Sequence, residues 1–325
     1  MSDEKTTPGS NFDRRSALAA LGLGGTALAL GSRPARAAKR RKNSLNLDDP
    51  ADNCKALIKL QADLSGKDAM GGFPGAVWAW IPGEGNFLLF KTYGIGVSHV
   101  EFRPEENAWR FYHREAQLYL DPNTGEVLES WRNPWTEREV EVLQVLNDHV
   151  NRHYPLSGGR FPFPWAYEIH GDDLVFQISV FRFEDSIMPR KDYPLHSQHD
   201  KYQTTELWGM IGSHAEVQDP EVTSAHCVTS WARISGWLPF MEMGNRPGQM
   251  VYHSHSYKLI KGVEEIPPNI RAWFEKKAPE YFESPKEWTP PSASIGAWNY
   301  SKKIIDERRA AGLKDGQTPF GWPRS

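Results

Sequence analysis

Tight-turn sequences recur along this chain at short intervals, and the runs between them alternate apolar with polar residues. Pro82-Gly83-Glu84-Gly85-Asn86 separates residues 76–81 from 87–93. Asp121-Pro122-Asn123-Thr124-Gly125-Glu126 does the same between 109–120 and 127–131, and Gly171-Asp172-Asp173 between 165–170 and 174–183. Gly, Pro, Asn and Asp supply the dihedrals that turns need, while a period of two marks strands with one buried face. Together with 139–146, 202–210, 225–234 and 250–259, these runs predict about nine strands joined largely as hairpins. Strands do not alternate with long helical patterns, which argues against a doubly wound parallel sheet. The expected fold is therefore mainly β: an antiparallel meander closed or strongly curved into a barrel-like domain, with helices near the C-terminus. Pro267-Pro268 opens a helical pattern through Ile270, Trp273 and Phe274, and 295–311 carries a second. A short helix is also expected over 54–64, where Ala56, Leu57, Leu60 and Leu64 share helical spacing.

The N-terminus has a different character. Arg14-Arg15 precede a mildly apolar run, 17–30, and a small-residue site, Ala35-Arg36-Ala37, follows it. These are the parts of a removable bacterial export signal of the twin-arginine type. The run is shorter than the about 20 residues that span a bilayer. The expected organisation is an export signal over 1–37, a flexible mature N-terminus over 38–53, and a single β-rich domain with a C-terminal helical segment over 54–325. The expected location is the periplasm, with the twin-arginine export machinery as a partner. That route carries folded proteins, so it permits a cofactor without requiring one. No later segment approaches a transmembrane run, so stable membrane insertion of the mature chain is not expected.

Charge narrows the partners further. The signal carries five Lys/Arg and three Asp/Glu, so its removal takes the net charge from −3 to −5. A mildly acidic chain gives no electrostatic ground for binding nucleic acid. The one basic run, Lys39-Arg40-Arg41-Lys42, sits at the new N-terminus, where a solvated tail is expected. Cys54 and Cys227 are the only cysteines. An oxidising compartment permits them to pair, but two cysteines make neither a disulfide framework nor a thiolate zinc site. Thirteen Trp, fifteen Phe and eleven Tyr suit half-buried strands, and the same rings suit a pocket for an apolar or aromatic small molecule.

Several signatures are missing: a G-x-G-x-x-G after a strand, a phosphate-cradling G-x-x-x-x-G-K-[ST] and a G-x-S-x-G nucleophile elbow. Polar, titratable residues concentrate instead in the second half. His196 and His199 precede a strand that carries Glu206, and His253 and His255 lie on a later strand. Period two puts His253, His255 and Tyr257 on one face and Tyr252, Ser254 and Lys258 on the other. Such a pair faces solvent, or satisfies buried polar groups, or serves metal-free acid/base chemistry, or binds a metal with a Glu from a neighbouring strand. Arg233, two residues beyond Trp231, is placed to orient a carboxylate or phenolate, or to answer Glu115. A second set, Trp109, Phe111, His113, Glu115, Gln117 and Tyr119, shares one strand face by alternation. A charge pointing inward there needs a partner, and structural pairing is a more common role than catalysis.

Arg114-Glu115, Leu118-Tyr119-Leu120-Asp121-Pro122, Thr124-Gly125-Glu126-Val127-Leu128 and Asn133-Pro134-Trp135 resemble the bacterial family catalogued as domain of unknown function 1838. Asn147-Asp148, Ser230-Trp231-Ala232-Arg233-Ile234-Ser235 and Trp237-Leu238-Pro239-Phe240-Met241 fit it too, so the resemblance covers most of the mature chain. It implies no activity and no catalytic residues to carry over, and it agrees with a twin-arginine leader. The functional expectation is a periplasmic acid/base enzyme of lyase or isomerase type, without cofactor or metal, acting on an aromatic or apolar small molecule. Its expected site is His253, His255, His196, His199, Glu206 and Arg233. A periplasmic small-molecule binding or carrier protein is the first alternative, and a metal enzyme using His253, His255 and Glu206 is the second.

Overall fold

The computed structural model describes residues 44–158, 163–291 and 296–316. The export signal expected over 1–37, and residues 38–43, lie outside them. Helix α1 (Pro50–Gln61) opens the described chain. Asp49 caps it by accepting hydrogen bonds from the Ala51 and Asp52 amides at 3.0 and 3.1 Å, and Pro50 occupies the first turn, where its missing N–H costs nothing. The helix therefore begins before Cys54, at a cap that apolar spacing alone does not show. Leu47, just before the helix, is buried in the same core as Leu57 and Leu60.

Twelve strands follow among the described residues. Nine form one antiparallel path. It runs from β6 (Val145–Asn147) through β3 (Ala108–Leu120), β2 (Gly85–Arg103) and β1 (Ala69–Ile81). It continues through β12 (Gln249–Lys258), β11 (Cys227–Ser235), β10 (Lys201–Ser213) and β9 (Asp173–Asp185) to β8 (Tyr167–His170). The short β7 (Arg152–Pro155) pairs with β3 off this path, and β4 (Ser130–Arg132) with β5 (Glu139–Glu141) forms a separate two-stranded sheet. The predicted turn sequences hold the hairpins β1–β2 and β8–β9.

The expected barrel does not close: β6 and β8 end the path and no strand pairing joins them. Helix α1 fills the space between. The Gln61 amide reaches Met210 Sδ on β10 at 3.2 Å, and its carbonyl oxygen accepts from Tyr154 OH on β7 at 3.3 Å. β7 lies beside β3, which is five strand steps from β10, or about 24 Å in a flat sheet. One side chain cannot bridge that distance, so the sheet curls around the helix. The inner core holds Cys54, Leu57, Ile58 and Leu60 against Phe111, Phe176 and Met210. A second inner cluster gathers Phe90, Tyr119, Phe240, Met241 and Tyr252. On the outer side, α3 (Pro268–Lys277) covers β2 and β3, with Ile270 and Phe274 over Ile95 and Leu118. The short α2 (His214–Gln218) follows β10, and α4 (Ala297–Ala310) lies against β6. The fold is thus mainly β and antiparallel with C-terminal helices, as expected.

Gly212 on β10 lets α1 come this close. A Cβ there would lie 2.3 Å from Leu60 Cδ2 and 2.6 Å from the His226 carbonyl oxygen. Gly212→Ala is expected to cost about 1–3 kcal/mol by overpacking, seen as a lower urea midpoint at unchanged m-value. Unchanged stability would mean that α1 does not rest on β10 at this point.

Candidate functional site

The inner face of the sheet carries most of the chain's unusual polar groups. Strand register places Glu206 of β10 opposite Arg233 of β11, and Arg233 opposite Tyr252 of β12. His113, Glu115, Gln117 and Tyr119 line the same inner face on β3, next to Ser98, Gly96, Gly94 and Thr92 of β2. The Tyr119 and Tyr252 hydroxyls lie 3.2 Å apart and connect the two halves. Arg152, from β7, acts electrostatically on both Glu115 and Glu206. Two carboxylates and two guanidinium groups thus share the interior with the two phenols and Gln117.

At the β3 end, Glu115 Oε1 accepts from Asn147 Nδ2 at 2.9 Å, and Oε2 lies 3.3 Å from His113 Nε2. Burial opposes ionisation of Glu115, but the His113 contact, the charge of Arg152 and the Asn147 bond together bring its value down to about 2. Burial is also the main influence on His113; with Arg152 it holds the imidazole below its ordinary value. His113 is therefore neutral beside an ionised carboxylate. Its other nitrogen, Nδ1, lies 3.2 Å from the Val97 carbonyl oxygen. A neutral imidazole carries one N–H, yet both nitrogens here face oxygens that accept hydrogen bonds. Whichever tautomer forms, one lone pair confronts an oxygen, and the pair has room for one more proton.

At the other end, Arg233 donates to Tyr202 OH at 2.7 Å and approaches Glu206 Oε1 at 3.9 Å. Burial works against its charge, but Tyr202, Glu206 and Tyr252 outweigh it, so Arg233 stays cationic. Its partner is Glu206; Glu115 has Arg152 instead. Trp231 Nε1 donates to Glu206 Oε2 at 3.5 Å, and Trp208 and Trp298 stand beside Trp231 and Tyr202. Burial raises both Tyr119 and Tyr252, so both phenols keep their protons at neutral pH. Only one of them can donate to the other. Arg233 Nε, Asn147 Oδ1 and Trp298 Nε1 are buried without a hydrogen-bond partner among the described residues. Yet the side chains of Glu115, Arg233 and Glu206 remain 31%, 25% and 23% exposed, so solvent reaches this face.

The structure brings together two of the six expected site residues, Glu206 and Arg233. His253 and His255 share a face, with ring centroids 5.0 Å apart, but it is the exposed outer face, opposite Tyr252 and Ser254. The metal set His253, His255 and Glu206 cannot converge, because Glu206 points to the other side of the sheet. His196 is buried in a loop, with Nδ1 3.0 Å from the Pro239 carbonyl oxygen and Nε2 3.7 Å from Asp315. His199 is exposed in the same loop. Among the described residues, no group of three or more His, Cys, Asp or Glu is arranged to hold a metal ion. Arg152, Asn147 and Tyr202 escaped the sequence reading. Asn147 lay inside the family-like sequence Asn147-Asp148; Arg152 sits in a four-residue strand with no motif around it.

Two other clusters carry less. Ser284 Oγ donates to Asp68 at 2.6 Å and lies 2.7 Å from His99 Nδ1, a serine–histidine–aspartate grouping. The serine is only 1% exposed and spends its proton on the aspartate, so it ties a loop to β2 and offers no nucleophile. Cys54 and Cys227 are both buried and free, and burial raises both thiols. Two open depressions, one at Trp78, Trp80 and Leu88 and one at Pro122, Trp131 and Trp135, are lined by none of these charged groups.

The chain thus combines an antiparallel sheet, a helix packed against its inner face, and the pairs Glu206–Arg233 and Glu115–His113 on that face. Residues 66–305 match the family described as a protein of unknown function, DUF1838, and the chain belongs to that family. No curated protein and no solved structure matches the chain. No helix among the described residues is long and apolar enough to cross a membrane.

Proposed function

We propose that this chain is an exported acid/base enzyme of the lyase or isomerase type, acting on an aromatic or apolar small molecule without an organic cofactor. The reading rests on the His113–Glu115 pair: a neutral imidazole between two oxygen acceptors, one proton short of satisfying both. Taking a proton from substrate creates an imidazolium that donates to Val97 and Glu115 together, while burial and Arg152 hold the ring below its ordinary value and so keep it ready, unprotonated, to accept. Negative charge left on the substrate meets the Tyr119–Tyr252 phenols, one of whose protons is spent only on the weak acceptor Met250 Sδ, and the Arg233 guanidinium. Trp231, Trp208 and Trp298 supply flat apolar walls. The two carboxylates and two arginines compensate one another, which suits a substrate without net charge.

Proton movement is directly measurable. Phenols, aryl ketones and aromatic aldehydes incubated with the full mature chain in D2O are expected to include one that loses a C–H signal by proton NMR. His113→Gln is expected to slow that exchange about 10²–10⁴-fold while quenching of tryptophan fluorescence by the same compound persists. The unspent Arg233, Asn147 and Trp298 groups equally suit a carrier. Tight binding with neither exchange nor conversion would favour that alternative.

Export by the twin-arginine route belongs to the same proposal, supported by Arg14-Arg15 and Ala35-Arg36-Ala37. Changing both arginines to lysine is expected to leave full-length precursor in the cytoplasm. Normal periplasmic accumulation of that variant would end the idea.

A further inference from the structure

The outer face of β9–β12 lacks the surface that water would ordinarily meet. Register assigns its outward positions: 175–183 on β9, 203–211 on β10, 228–234 on β11 and 251–257 on β12, every second residue. Of these eighteen, none is Asp, Glu, Lys or Arg, although 24% of the chain is charged and about four would be expected. Large apolar side chains stand there instead, with Phe181 68% and Phe183 70% exposed, and Leu207, Ile211, Val228 and Ile234 each more than a third exposed. Together they present on the order of 600 Å² of apolar surface, at the upper end for a monomer's largest patch.

The face also has relief. Val175, Ile211, Val228 and Tyr257 are in register across all four strands and form a ridge. The next row, Gln177, Gly209, Ser230 and His255, forms a trough of mainly small residues in its middle. Gly209 is the telling position. A Cβ there would meet nothing within 4 Å, so the fold itself does not require glycine. Glycine inside a strand costs about 0.5–1 kcal/mol and often marks a place where another backbone approaches closely.

We propose that this face binds a second copy of the chain across a two-fold axis, the ridge of each copy lying in the trough of the other. A two-fold contact sets a surface against itself, so an uncharged face avoids opposing like charges. The apolar area, with its polar surround, matches the roughly 800 Å² per partner of a standard interface. A lipid surface fits less well, because interfacial binding to anionic membranes draws on Lys and Arg, which this face lacks.

Sedimentation velocity of the full mature chain tests it. The wild type is expected to be a dimer at about 10 μM, and Gly209→Lys and Ile211→Asp are each expected to weaken association at least about tenfold. Circular dichroism and the urea midpoint of Gly209→Lys should match wild type, since the position is open. A wild-type chain that stays monomeric at about 100 μM, or a folded Gly209→Lys that dimerises normally, would overturn the proposal. So would a monomeric wild type that co-floats with phosphatidylglycerol vesicles through these residues, which would reassign the face to lipid.

Discussion

Lys258→Met is expected to lower the unfolding free energy by about 2–4 kcal/mol, a larger loss than most single substitutions produce. The Lys258 ammonium is buried under the end of α1 and shares its three N–H groups among four acceptors, the Lys59, Ala62 and Ala225 carbonyl oxygens and Ser224 Oγ, all between 2.6 and 3.0 Å away. Burial pushes its value down to about 8, so it still carries its charge at neutral pH. Two of its acceptors belong to the last turn of α1 and its C-cap, where carbonyls lack helical partners and a cation is favoured. Methionine fills the volume and supplies no donor. Each oxygen left short costs about 1–3 kcal/mol at most; Lys59 and Ala62 retain other donors, Ala225 N and Ser224 Oγ, which keeps the total below the sum. Urea denaturation at pH 7 reads the effect. A loss under about 0.5 kcal/mol, the scale of an ordinary surface change, would show that water takes over the donor role.

Glu115→Gln is expected to flatten the acid limb of the stability profile. The folded-state value of Glu115, about 2, lies below the ordinary 4.5, so the folded protein favours the ionised form. The stabilisation this contributes is complete above pH 4.5 and is lost as the pH falls through 2, because protonation removes the charge that Arg152, Asn147 and His113 hold. At pH 6 the difference is on the order of 2–3 kcal/mol, discounted for partial exposure. Unfolding free energies of wild type and variant should therefore differ at pH 6 and converge near pH 2. Parallel curves would show that the carboxylate is not held by these partners. The same variant is expected to lower the proposed proton exchange, because glutamine offers no anion to balance the His113 imidazolium.

The strands were legible because alternation and turn residues are local signals. Sheet order was not: β12 lies between β1 and β11, a pairing of residues some 180 positions apart that no local pattern records. The failure to close has the same origin, since the strand pattern does not reveal that a helix will occupy the hollow. Alternation correctly divided β12 into a His253–His255 face and a Tyr252–Ser254 face. It could not say which of them points inward, and the tyrosine face does. β3 misleads further, because both of its faces are covered. Leu118 and Ala116 lie outward under α3, while His113 and Glu115 face the hollow, so apolar residues there mark the outside. Arg152 was invisible for a simpler reason: a lone arginine in a four-residue strand has no period.

The β1–β12 pairing also dictates when this chain can fold. Gly71 pairs with Lys258, and Lys258 in turn bonds the Lys59 carbonyl at the end of α1. Helix α1 and strand β1 therefore wait for β12, the last strand among the described residues, before their neighbours exist. Topologies dominated by such distant contacts fold slowly and leave apolar surface uncovered meanwhile. A nascent chain stopped before residue 249 lacks the strand that joins its two half-sheets, β1–β3 and β9–β11, and α1 has no continuous hollow to enter. The joined sheet thus forms only after synthesis has passed β12, and until then the inner faces of both half-sheets lack their cover.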